Sequence, residues 1–205
     1  DVIESGLDLS AYRLVVAPQL YLLKPGVADA LMAYVKAGGT LILTWRSGIV
    51  DASNLCFLGG FPGAGLRAFC GVWAEEIDAL YPGEAQAVQA ASDNDLGLKG
   101  SYSTGPFVEY LHAEDAEVLA SLETDYYAGQ PALTRRARGE GEVYYLSAWM
   151  GDDFYGDLID GLRQRIGLRR VIEARLPSGV TAQMRNDHSQ DYVFVQNFST
   201  EQKRV

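Results

Sequence analysis

Residues 12–48, YRLVVAPQLYLLKPGVADALMAYVKAGGTLILTWRSG, constrain the fold of this chain more than any other stretch. Leu14, Val15, Val16 and Ala17 form an uninterrupted apolar run ended by Pro18, the pattern of a strand covered on both faces. Pro25 suits the first turn of a helix on which Val27, Ala30, Leu31, Tyr34 and Val35 make one apolar stripe, and Gly38 and Gly39 close it. Leu41, Ile42 and Leu43 then form a second buried strand. Two buried strands joined by an amphipathic helix make a βαβ unit, with parallel strands and the helix on one face of their sheet. The second strand delivers Trp45, Arg46 and Ser47 at its carboxyl end, the edge of an open α/β sheet where ligands usually bind.

The remaining pattern alternates strands with loops. Asp1, Val2 and Ile3 read as the tail of an earlier strand, so the chain is expected to begin inside a βαβ unit of a longer protein. Residues 45–71 carry loop signals, with a short helix at 66–69. Residues 72–80 and 85–90 read as strands around Tyr81-Pro82-Gly83, and 93–105 as a polar, Gly-rich connection. Strands follow at 107–112 and 118–124, then a hairpin of 131–138 and 142–148 around Gly139-Glu140-Gly141. A helix over about 153–168 carries Phe154, Leu158, Leu162 and Ile166 on one stripe, acidic residues at its start and arginines near its end. Past Arg170 the pattern becomes alternating at 180–185 and 192–197. A lone hairpin is marginal in water, so the organisation expected is an α/β domain over 1–170 and, over 171–205, the beginning of a β-rich domain cut off at Val205.

Chemistry is scarce along this scaffold. The formal net charge of −10 argues against a nucleic-acid partner, which needs clustered Lys and Arg. No window approaches the roughly 18 apolar residues of a spanning helix. Cys56 and Cys70 lie in apolar settings that favour buried thiols over a disulfide, and this usage fits the cytoplasm. A nucleophile on such a sheet needs a tight strand-to-helix turn and a base, yet the strand ending at Thr44 presents Trp-Arg-Ser-Gly, and His112 and His188 are the only histidines. Gly63-Ala64-Gly65-Leu66-Arg67-Ala68 formally matches a dinucleotide fingerprint, but Pro62 and a loop stand where the preceding strand belongs. Neither cysteines nor histidines have metal-site spacing. Glu75-Glu76 would point to opposite faces of a strand, and Asp152-Asp153 would cap a helix, so neither pair suits glycoside hydrolysis. No catalytic, cofactor-binding or metal residue is assigned. The 3 Trp and 12 Tyr suit sugar stacking and protein interfaces alike, with Trp45 and Trp73 the better candidates for exposure.

The run LVVAPQLYLLKPGVADALMAYVKAGGTLILTWRSGIVDASNLCFLGGFPG resembles the middle domain of the bacterial β-galactosidases of glycoside hydrolase family 42. Its VVAP-x-LY strand, AGGTL-type strand and T-x-RSGIVD loop leading to GGFPG carry the resemblance, which continues through GVWAEEIDALYPGE to GEVYYLSA. YVFVQNFS resembles the start of that family's small C-terminal domain. The resemblance implies a flavodoxin-like or class I glutamine amidotransferase-like α/β sheet flanked by helices, without that fold's nucleophile, followed by a short all-β segment. The family's catalytic glutamates lie in an N-terminal (β/α)8 barrel, and the Asn-Glu pair that marks its acid/base does not occur here. What is implied is a non-catalytic trimerisation domain of a retaining enzyme that cleaves terminal non-reducing β-D-galactose. The full-length enzyme would be a homotrimer, reaching galactoside only through the barrel and using neither cofactor, nucleic acid nor membrane in this part. The 45–71 segment is expected to pack against neighbouring subunits or the absent barrel, with Trp45, Arg46, Ile49, Leu55, Phe57 and Phe61 as candidate interface residues. Two alternatives stay open: a carbohydrate-binding module acting through Tyr and Trp, and a divergent amidotransferase-like hydrolase using Cys56 or Ser47.

Overall fold

A computed structural model describes residues 2–4, 8–174, 176–187 and 189–204. Two compact units divide the chain, Asp1–Leu162 and Arg163–Val205. In the first, strand β1 (Leu14–Ala17) is followed by the short β2 (Leu22–Leu23), helix α1 (Val27–Lys36) and β3 (Thr40–Thr44). β1 and β3 pair in parallel, Leu14 opposite Thr40 and Ala17 opposite Leu43, as the βαβ reading requires. α1 starts after Pro25, with Gly26 as its N-cap at a positive φ that suits glycine. β1 departs from expectation: among the described residues it is an edge strand, and Val16 is 47% exposed. Val2 and Ile3 form no strand, and Asp1 lies outside the described residues.

Beyond β3 come β4 (Val50–Asp51), which pairs with β2, and the one-turn α2 (Leu66–Cys70). Then follow β5 (Val72–Ala79), β6 (Ala87–Ala90), β7 (Ser101–Ala113), β8 (Glu117–Leu122), β9 (Pro131–Arg138), β10 (Gly141–Leu146), β11 (Ala148–Met150) and α3 (Asp152–Arg165). A 3-10 turn at Asp125–Tyr127 separates β8 from β9. Among the described residues these strands make a nine-strand sheet in the order β1-β3-β10-β9-β8-β6-β7-β11, with β5 added against β7. Only β1, β3 and β10 run parallel in it; the other pairings are antiparallel. The expectation of a parallel sheet flanked by helices is therefore corrected to a mixed sheet with few helices. The physical reason is connection length: the turn at Gly139-Glu140 is too short for the crossover a parallel pair needs. Residues 101–105 also join β7 instead of the expected loop, because Tyr102 and Thr104 turn inward and Tyr102 pairs with Val88.

β3 is buried at every position, and its alternation divides the core. Ile42 faces one cluster with Tyr144, Leu146 and the α3 residues Phe154, Leu158 and Leu162. Leu41 and Leu43 face the other, with Leu31 and Val35 of α1, Leu66 and Phe69 of α2, and Val143 and Tyr145 of β10. Each fully buried leucine contributes on the order of 1.5–3 kcal/mol. The end of α1 sits directly on β10: a side chain at Gly141 would meet the Val35 and Gly39 carbonyl oxygens at 2.2 Å.

The second unit holds β12 (Val180–Asn186) and β13 (Asp191–Asn197), a two-strand antiparallel ladder with Val180 opposite Asn197 and Asn186 opposite Asp191. Val180 is buried, whereas every residue of β13 is exposed, more than the half-exposed alternation anticipates.

Candidate contact site at the strand ends

The carboxyl end of β3 makes a tight turn held by several hydrogen bonds. Arg46 adopts φ +58°, a left-handed conformation that side chains other than glycine seldom take. Its backbone N–H donates to Glu109 Oε1 at 2.7 Å, and the Tyr145 hydroxyl donates to Glu109 Oε2 at 2.9 Å. The Ser47 hydroxyl donates to the Thr44 carbonyl at 2.6 Å, and Thr44 Oγ1 accepts the Gln19 N–H at 2.8 Å. Glu109, on β7, is fully buried, and burial pushes its carboxyl up to about 7 against the opposing pull of the Arg46 N–H, the Tyr145 hydroxyl and the Arg46 charge. Near neutral pH this carboxyl is therefore divided between its protonated and charged forms.

Aromatic rings surround the turn. Trp45 is only 5% exposed and stacks on Trp149 at 6.0 Å between centroids; Trp149 stacks in turn on Phe107 at 6.4 Å. Gly105 leaves room for this, since a Cβ there would stand 3.1 Å from the Trp149 ring. The Arg46 guanidinium lies 5.3 Å over the Tyr21 ring and forms no ion pair among the described residues. Trp45 Nε1 is buried with no hydrogen-bond acceptor among them. Exposure of Trp45 was the expectation; the exposed tryptophan is instead Trp149, at 44%, because β11 carries it outward from the sheet.

The other candidates fall into two groups. Ile49 is buried, its N–H bonded to the Tyr21 carbonyl. Phe57 and Phe61 are half-buried: Phe57 packs on Gly63, and Phe61 bridges to Ala74. Leu55 is 66% exposed, and its neighbour Leu58 is 97% exposed. A hollow of about 280 Å³ lies between the start of α1 and the 51–57 loop, with Leu23, Lys24, Asp51 and Phe57 among its lining. The structure thus brings Trp45, Arg46 and Ile49 together at the strand end, and places Leu55 on the loop beyond it.

Among the described residues, nothing at this turn forms a nucleophile with its base. The Ser47 hydroxyl donates its hydrogen bond to a main-chain carbonyl, and His112 bonds Glu75 at 2.7 Å and stacks on Trp73 at 4.9 Å. Cys56 is exposed, while burial pushes the Cys70 thiol up to about 12. His188 lies outside the described residues. Among the described residues no group of His, Cys, Asp and Glu could hold a metal, and no helix is long and apolar enough to cross a membrane. Sequence reasoning missed Glu109, Tyr145, Trp149 and Phe107. The one available signal was a lone acid within the apolar run FVEYL, which marks a buried carboxyl without naming its partner.

Residues 1–169 match the family model for the beta-galactosidase trimerisation domain. Beta-galactosidase Pbg of Clostridium perfringens and Beta-galactosidase BglY of Alicyclobacillus acidocaldarius are each 47% identical over 205 residues, all of this chain and 30% of theirs. A crystal structure of a β-galactosidase from Rahnella sp. R3 superposes with a TM-score of 0.92 at 41% identity, over 98% of this chain and 30% of that one. The chain thus spans about 30% of the length of the relatives it matches. A mixed sheet whose strand end carries a bonded arginine turn and stacked tryptophans, matched along nearly its whole length, belongs to the trimerisation-domain family of the glycoside hydrolase family 42 β-galactosidases.

Proposed function

We propose that this chain is the assembly unit of a retaining β-galactosidase, holding three copies together while a catalytic barrel elsewhere in the protein cleaves terminal non-reducing β-D-galactose. The observation that carries this reading is the turn after β3: where a sheet of this kind would present a nucleophile, it presents Arg46 locked by Glu109 and flanked by aromatic rings. Such rings and arginines typify the centres of protein contacts. The parallel trio β1-β3-β10 with α1 supports a flavodoxin-like or amidotransferase-like origin for half of the sheet. Residues 1–170 form the trimerisation domain, and 171–205 belong to a separate β-rich domain, a division favoured by the exposed apolar side chains of β13. Two free cysteines fit the cytoplasm.

The test compares the full-length protein with the 205-residue chain. A chromogenic β-galactoside is hydrolysed by the former and left intact by the latter, and light scattering gives the former three times its chain mass. Hydrolysis by the isolated chain, or a monomeric full-length protein, contradicts the proposal.

A further inference from the structure

A ring of three cannot close through one self-matching patch; it needs two different surfaces of the same chain, each meeting its counterpart on the next copy. Resting on the trimer proposed above, we infer that the Arg46 turn of one copy docks on the open edge of β5 in the next, pairing Arg46 with Glu76.

The donor side offers a charge to a partner. The half-buried Arg46 guanidinium has no ion pair among the described residues and is open to an incoming carboxylate.

The acceptor side is equally open. β5 pairs with β7 alone and, apart from the bridge between Phe61 and Ala74, its outer edge is unpaired among the described residues. Around it, Glu75 is bonded to His112, and Asp78 accepts the hydroxyls of Tyr126 and Tyr127. Glu76 is exposed and makes no hydrogen bond or ion pair among the described residues. It stands opposite Tyr110 in register, and so shares its face with a ring ladder: Trp73 on His112 at 4.9 Å, His112 against Tyr110 at 5.4 Å, and Tyr110 on Tyr126 at 6.0 Å. An exposed carboxylate framed by aromatic rings is the chemical complement of a half-exposed guanidinium framed by aromatic rings.

Topology separates the two surfaces as a ring requires. Glu109 and Tyr110 are consecutive on β7 and point to opposite faces: Glu109 holds the Arg46 turn, and Tyr110 carries the ladder. One strand thus supports a different contact on each side.

Sedimentation equilibrium of the full-length protein tests this. A monomeric wild type would sink the trimer reading itself. Given a trimeric wild type, Glu76→Arg, at an exposed position, raises the dissociation concentration by at least about tenfold, roughly 1.4 kcal/mol. Arg46→Glu does the same, and the two together restore association to within about threefold of wild type. Because Arg46→Glu sets a second carboxylate near Glu109, circular-dichroism melting checks its folding, and a separate readout avoids it altogether. Arg46→Cys with Glu76→Cys, in a Cys56→Ser background, yields covalent trimers on oxidation. A folded Glu76→Arg protein that associates like wild type overturns the inference, as does a cysteine pair that yields only single chains on a denaturing gel.

Discussion

Strands β3 and β13 are both rich in apolar residues, yet β3 is buried at all five positions while β13 is exposed at all seven. The difference lies in what surrounds them. β3 has a strand on either side and lies between two core clusters that include helices, whereas among the described residues β13 is bonded to β12 alone. Local pattern makes a strand, and only neighbours make it a core. Val193, Phe194 and Val195 therefore stand about half exposed, as contact surfaces do, while Leu41 and Leu43 already have their packing partners.

The sharpest way to break this comparison is to empty each strand in turn. Leu43→Ala should cost about 2–5 kcal/mol in urea unfolding of the chain, because the cavity it leaves cannot collapse between strand and helix. A loss below about 1 kcal/mol would mean that β3 is not the centre of the core.

The charge buried beside the tip of β3 comes next. Glu109 is raised to about 7 in the folded chain from an ordinary value of 4.5. The folded state therefore holds this proton more tightly, and the associated stability is complete below about pH 4.5, is lost as pH rises through about 7, and stays lost above it. The loss is on the order of 3 kcal/mol. Glu109→Gln should flatten this part of the stability profile while keeping an acceptor for the Arg46 N–H; an unchanged profile between pH 5 and 8 would assign the dependence to other groups.

Gly141→Ala probes the seam between α1 and β10. The added Cβ meets backbone carbonyls at 2.2 Å, so the variant should lose about 1–3 kcal/mol in thermal or urea unfolding. Smallest is Val193→Thr on β13, which should change the stability of the isolated chain by no more than about 0.5 kcal/mol. A large loss there would show that the hairpin is packed after all.

The same contrast explains what was legible beforehand. The βαβ unit, the β9–β10 hairpin and both long helices are written in local periodicity and in glycine and proline punctuation, and they stand close to where the residues place them. The mixed sheet was not legible, since β7 pairs with β5, β6 and β11, and only long-range register decides that. At the strand end, Trp45, Arg46 and Ile49 follow directly from β3. The Glu109 bond that orders Arg46 spans 63 residues, and Trp149 reaches the site from β11, so neither leaves a trace in local pattern.

The central proposal is that this fold holds copies of the protein together. Analytical ultracentrifugation of the full-length protein over a wide concentration range tests it most directly. The account predicts a species of three times the chain mass, weakened by Glu76→Arg and recovered when Arg46→Glu is added; a single-chain mass at every concentration would contradict it.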